Sequence, residues 1–493
     1  MPEIAFAVLF MCVLIAVMNW QSGFFMCVVV ALLQDPMRKL TPGQPIYFLL
    51  FVGLVFAATW GAALASKVPL APQKVYGWSA IRLAATIFYL ILFAQAMHSS
   101  VRWDSFALPA LGLLFYTAPV PAIILSYQFA VRGGFVRVQK LMWFYVAISI
   151  PWLTAVWFDY SGQTWAVLGE VGVGQFIYDV GGRFRLPAGL YRAAEIAAWH
   201  VATTSAFLFL LLRGRRLSPF KIFITLVVVA FLVAIGILTG RRKLLVNIAV
   251  FLSMFFFFRI WFVSQSTKWA VLTMVAGSVF ALSIVGVVAP EDGERSFDSP
   301  SIVVKTDKYS ALIKRGESVW TDIPERLSLL GLGSAQVAVS QFGVFGAGLG
   351  TGSQGSQHLG GGAARFGYAA EGGMGKLTLE LGIPGLLAAL WLVFAFVRHI
   401  NTNLILVTRT SIAHANFAFG LAAFLVANVA SFMLATQAYG DLFVLLLLGW
   451  ALGFLLAMPV VAEQARLRAQ ATGQNTARPA GMASAAPFPQ VRS

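Results

Sequence analysis

Residues 343–390 read GVFGAGLGTGSQGSQHLGGGAARFGYAAEGGMGKLTLELGIPGLLAAL, and the rest of the chain is organised around them. The first half is polar and dense in glycine, a composition that permits turns side chains forbid and lets bulky groups come close. From about Met374 the stretch becomes an apolar helix, which follows Glu371 and carries Glu380, Gly382 and Gly385. A carboxylate at the mouth of an apolar helix, fed by such a loop, is a place for chemistry at a membrane surface. A plain linker between two spans has the same composition, so residue types alone leave both readings open.

Outward from this stretch, apolar runs recur along the whole chain. It is 59% apolar and only 11% charged, whereas about a quarter of the residues in a soluble domain carry charge. Each run of roughly twenty apolar residues is long enough to cross about 30 Å of hydrocarbon. The chain therefore reads as an all-α polytopic membrane protein with about twelve transmembrane helices, near 4–33, 45–65, 76–97, 106–130, 140–160, 192–212, 218–238, 243–262, 268–289, 374–398, 412–435 and 442–462. The first is open to a break near Asn19 to Gly23. A β-barrel needs short alternating segments, which this pattern lacks.

The resulting organisation is nine helices over 1–289, a large loop over 290–373, three helices over 374–462, and a tail over 463–493. The tail is rich in Ala, Gln, Pro and Arg and reads as disordered. Within the large loop, Leu and Val at helical spacing predict an amphipathic helix in the stretch from Ile313 to Val339. No internal repeat is evident, which counts against an inverted-repeat transporter. The first residues lack a basic n-region and a small-residue cleavage site, so no signal peptide is expected.

The formal charge of +16 does not point to nucleic acid, because the basic residues are scattered through short loops. Arg132, Arg137 and Lys140; Arg213, Arg215, Arg216 and Lys221; Arg259 and Lys268; Arg398 and Arg409; and Arg466 and Arg468 fall on one face of a twelve-span chain. The positive-inside bias makes that face cytoplasmic. Both termini are then cytoplasmic, while 161–191 and 290–373 lie outside. Arg38 and Lys39 run against this bias. So does the turn TGRRKLL, which puts Arg241, Arg242 and Lys243 outside at a membrane boundary. Such a cluster suits an anionic partner, either lipid headgroups or a phosphate held in the two-pronged geometry that arginine offers.

A second external cationic group, Arg183, Arg185 and Arg192, surrounds Pro187. Glu195 and His200 follow inside the next span, where ionisable groups need a cavity or a partner. Pairing of Glu195 with Arg192 or Arg241 is the structural expectation. Asp159 reads as either a second carboxylate or a polar cap, and Arg326 and Arg365 as substrate contacts from the large loop. His358 is a lone loop histidine, and His98, His399 and His414 have no partner at metal-ligand spacing. Cys12 and Cys27 share the first apolar stretch and imply neither disulfide framework nor metal site. No Gly-Lys-Ser/Thr follows the glycine run, so ATP is not implied. No cofactor is assigned.

The string LELGIPGLL, the upstream GAGLG, and Glu371 followed eleven positions later by Gly382 and then Gly385 resemble the O-antigen polymerase and O-antigen ligase family. The turn at Arg242 resembles that family's small-residue–Arg turn, and Arg183 or Arg185 with Pro187 its Arg, Gly and Pro before a span. Glu371 and Gly372 stand where a ligase usually has His and Asn, which looks more like a polymerase. The resemblance implies a membrane glycosyltransferase (GT-C-like) architecture in the bacterial inner membrane, with a periplasmic loop and an active site facing the periplasm. It implies a metal-independent enzyme that moves a polyprenyl-diphosphate-linked oligosaccharide onto a sugar hydroxyl of another lipid-linked unit. Glu371 would be the base, and Arg242, Arg241, Arg185 and Arg183 would hold the diphosphate. Arg192, Glu195, Arg326, Arg365 and Glu380 would support them. Membrane lipids, and chain-length and export proteins, are the implied partners. Ligase-type transfer to a lipid A core or a protein, and a lipid-linked glycan transporter or flippase, remain the alternatives.

Overall fold

The computed structural model describes residues 2–69, 78–171, 176–179, 182–213, 218–241, 243–286, 329–353 and 372–471. They form helices α1 (Pro2–Met18), α2 (Trp20–Leu40), α3 (Phe51–Ala65), α4 (Trp78–Trp103), α5 (Ala107–Thr117), α6 (Pro119–Tyr160), α7 (Ala194–Leu212), α8 (Pro219–Leu238), α9 (Lys243–Arg259) and α10 (Thr267–Gly286). They continue as α11 (Ser334–Phe342), α12 (Gly373–Thr410), α13 (Ile412–Leu434) and α14 (Leu442–Ala471). One short antiparallel hairpin, β1 (Phe176–Asp179) with β2 (Gly182–Arg185), interrupts them, pairing Phe176 with Arg185 and Tyr178 with Arg183.

Nine helical stretches among the described residues are long and apolar enough to cross a membrane. This is a polytopic helical membrane protein. Two of the twelve expected spans, 106–130 and 140–160, fall in a single 54-residue stretch, Ala107–Tyr160. Unbroken, it would run on the order of 80 Å, more than twice the hydrocarbon thickness. Gly134, at φ 71° and ψ 178°, breaks it where the basic loop was expected.

The first expected span differs more. Asn19 is extended, and its side chain accepts from Gln21 N at 3.0 Å, ending α1 and capping α2. Phe6 then stacks on Tyr47 at 6.1 Å and meets Phe51 at 5.5 Å, just beyond the far end of α2. So α1 runs back along α2, and the chain starts at the end of the bundle where α2 finishes. Helix α14 starts at this same end and runs to the opposite one. The tail expectation is corrected over 463–471, where α14 continues to Ala471; its remainder, 472–493, lies outside the described residues. Ala, Gln, Leu and Arg are good helix formers, and a Glu463–Arg466 pair at 2.6 Å supports the added turns. Of the amphipathic helix expected over Ile313 to Val339, only 329–339 lie in the described residues, as a short helical turn at Leu329–Gly333 followed by α11.

Aromatic rings fill the centre, where Phe24 packs on Phe129 at 4.5 Å and on Trp450 at 4.9 Å. Small residues bring α14 close to α6: a Cβ on Gly453 would lie 2.3 Å from the Ile123 carbonyl oxygen. One end of the bundle then gathers the polar features. There Lys39 Nζ donates to the carbonyls of Gly189 (2.8 Å) and Tyr191 (2.7 Å), and Arg38 Nε to that of Gln44 (2.9 Å). These contacts account for the two cations that run against the charge bias, since they bind loop backbone.

Candidate functional site

The break in α12 falls at Gly382, which has φ 69° and ψ −176°. A turn of helix interrupted inside a membrane bundle frees backbone groups that must be satisfied within the protein. The glycine-rich strap over 343–353 does this. Ala347 N donates to Leu379 O at 2.7 Å, Ile383 N to Val344 O at 2.8 Å, and Gln95 Nε2 to Leu381 O at 3.2 Å. From α4, Ser99 Oγ, Arg102 Nη1 and Trp103 Nε1 hold the strap carbonyls of Leu349, Gly346 and Ala347 at 2.8–2.9 Å. The strap follows this path because Gly346, Gly348 and Gly350 all take positive φ.

Glu380 lies two residues before the break and is fully buried. Its Oε2 accepts from Tyr116 Oη at 2.7 Å, and its Oε1 from Gly352 N at 3.0 Å and Ser353 Oγ at 3.1 Å. The sequence reading grouped Glu380 with the arginines, but its partners are α5 and the strap. It anchors the chain where the strap ends.

Arg192 is likewise engaged away from the other expected cations. Its Nη1 lies 2.5 Å from Asp441 Oδ2 and 3.9 Å from Asp35 Oδ1, and its backbone N donates to Asp35 Oδ2 at 3.0 Å. Burial alone would lower the guanidinium pKa, but Asp441 and Asp35 outweigh it and hold it above its usual value. Asp441 also caps α14, with Oδ1 accepting from Phe443 N (2.8 Å) and Val444 N (3.2 Å). Asp159 proves to be a cap: its Oδ2 accepts from Ala188 N at 2.8 Å and Gly189 N at 2.9 Å.

Glu195 and Arg241 form one of the two pairings that the sequence leaves open, with Oε1 and Nη2 2.5 Å apart, the Glu195 side chain buried and that of Arg241 nearly so. They stand in a pocket between α7, α9 and α13, lined also by Trp199, Asn247, Ser431, Gln437 and Tyr439. Asn428, six residues before the end of α13, fixes two of its walls. Its Oδ1 accepts from Trp199 Nε1 at 2.8 Å and from Tyr439 Oη at 3.2 Å. Asn247 Nδ2 donates to Ser431 Oγ at 2.8 Å, tying α9 to α13. With their polar tips engaged, Trp199 and Tyr439 offer the pocket their ring carbons.

The start of α12 closes on this wall. A Cβ on Gly373 would lie 2.6 Å from the Phe432 ring, and that ring meets Tyr439 edge-on at 5.3 Å. Glu371, Arg242, Arg326, Arg365 and His358 lie outside the described residues, as do the side chains of Arg183 and Arg185. Arg241, which precedes Arg242, lines the pocket, whereas Gly373, two residues beyond Glu371, packs on Phe432 behind the Tyr439 wall.

Trp199, Tyr439, Asn247 and Asn428 do not emerge from the sequence reading. An amide within an apolar span was the available signal for both asparagines, since such a group must find a partner across helices. Asp441, ahead of a long apolar run, carried the signature of a helix cap. No protein-family model matches the chain, and no curated protein matches it.

Proposed function

We propose that the chain is a glycan polymerase of the bacterial inner membrane. It transfers a polyprenyl-diphosphate-linked oligosaccharide to a sugar hydroxyl of a second lipid-linked unit. The observation that carries this reading is the pocket, which combines an arginine, a carboxylate, an amide and two aromatic walls and includes Arg241, the chain neighbour of Arg242. Aromatic ring faces suit the C–H faces of a sugar, and guanidinium groups suit phosphate oxygens.

In this mechanism Glu371 takes the proton from the acceptor hydroxyl as that oxygen attacks the anomeric carbon, and general-base help of this kind contributes about 10² to 10⁴ in rate. The diphosphate leaves from the opposite face, so configuration inverts. Arg241 and Arg242, with Arg183 and Arg185, receive the charge that builds on the leaving oxygens. The pocket end faces the periplasm, because the five basic loops occupy the other face. The bundle then corresponds to a GT-C-like architecture.

The test uses purified protein in liposomes with lipid-linked repeat units, the products being resolved as a ladder. Wild type should extend the chains, and Glu371→Gln should not while still inserting and accumulating. Extension by Glu371→Gln at near wild-type rate removes the base assignment. Translocation of the lipid-linked units without any new glycosidic bond would make the protein a flippase. Transfer only to an added lipid A core would make it a ligase.

A further inference from the structure

The carboxylates at this end of the bundle are not held alike. Glu380, Asp159 and Asp441 each accept at least one backbone N–H, in contacts between 2.8 and 3.2 Å. Those oxygens are locked to the chain. Glu195 differs, because its Oε1 meets the Arg241 guanidinium at 2.5 Å but accepts no hydrogen bond from a backbone amide or hydroxyl among the described residues. Both groups also line the pocket, among Trp199, Ala202, Ala438 and Tyr439.

An ion pair held by its partner's charge and facing a cavity can be exchanged for another anion. We propose that Glu195 is a displaceable counter-anion for Arg241. A phosphate-bearing ligand entering the pocket takes the guanidinium from it, and the displaced carboxylate then stands beside the phosphate. Two like charges in a largely apolar pocket repel, so Glu195 weakens the hold on a bound diphosphate and speeds its departure. Without ligand the same carboxylate faces the Arg241 guanidinium. This inference rests on the reading that the pocket holds a diphosphate through Arg241.

The experiment is titration of the full-length protein in nanodiscs with inorganic pyrophosphate, followed by calorimetry. Glu195→Gln keeps the shape and removes the charge, so it should bind pyrophosphate about tenfold or more tightly than wild type. Glu195→Asp keeps the charge and should not tighten binding. Arg241→Ala should lose binding. If Arg241→Ala loses binding and Glu195→Gln binds no more tightly than wild type, displacement is overturned and the diphosphate reading stands. If no form binds pyrophosphate, or Arg241→Ala binds as wild type does, both fail. Should Glu195→Gln not fold, Glu195→Ser is read in the same way.

Discussion

Tyr116 Oη donates to Glu380 Oε2 at 2.7 Å across 264 residues of sequence, joining α5 to the helix that breaks at Gly382. With Gly352 N and Ser353 Oγ on the other oxygen, this carboxylate meets three donors inside the bundle. Glu380→Gln turns one acceptor into a donor and leaves a buried group unmet, at a cost of about 1–3 kcal/mol. Thermal unfolding in detergent should show a lowered midpoint, with a smaller loss for Tyr116→Phe. A wild-type midpoint in Glu380→Gln would mean that the carboxylate does not anchor the strap.

Asp441 should matter more to stability than Asp35. Asp441 contacts Arg192 at 2.5 Å and caps two amides of α14, whereas the Asp35 carboxylate is 3.9 Å from the guanidinium and accepts one backbone amide. Breaking a buried pair by removing one partner costs about 3–5 kcal/mol. Asp441→Ala should therefore unfold at a lower temperature than Asp35→Ala, with Arg192→Ala lowered similarly to Asp441→Ala. The reverse order of the two aspartates would assign the main role to Asp35.

The chain's direction at its start can be checked chemically. Because α1 folds back on α2, Glu3 and Gln163 lie toward the same end of the bundle and Gln470 toward the other, and all three are exposed. The native cysteines, Cys12 and Cys27, are buried and give little background. In cells, an impermeant maleimide should label Glu3→Cys and Gln163→Cys but not Gln470→Cys. Labelling of Gln163→Cys without Glu3→Cys would return the N-terminus to the cytoplasmic face.

What was legible in the sequence follows from the range of each signal. The apolar runs are local, and ten of the twelve expected spans lie within the nine long stretches. The break between α1 and α2 is a short-range effect of Asn19, visible as a polar interruption but not as a reversal of direction. Pairing of Glu195 with Arg241 was foreseeable because ionisable groups at neighbouring span ends need partners. The partners of Arg192 were not, since Asp35 and Asp441 stand 157 and 249 residues away and belong to no motif. Likewise, Glu380 looks from its position like a companion of Glu371. Only packing of the strap against α4 and α5 reveals the donors that occupy it.

Arg242 provides the sharpest test of the diphosphate reading. Arg241 already has a buried partner in Glu195 and opens the turn on the pocket wall, so Arg242, next in the chain, is the residue expected to meet the second phosphate. A guanidinium grips two oxygens with fixed geometry, whereas an ammonium keeps the charge but not the fork. Losing one charge-assisted hydrogen bond to a desolvated phosphate costs about 1.5–3 kcal/mol, roughly ten- to more than a hundredfold in rate if the contact strengthens in the transition state. Attraction to headgroups alone is worth about 1 kcal/mol for Lys or Arg alike, so in that case Lys would serve as well. In cells at matched expression, polymer yield and length should fall in Arg242→Lys nearly as far as in Arg242→Ala. Full polymer from Arg242→Lys would make this turn a contact for lipid headgroups and remove the clamp from the mechanism.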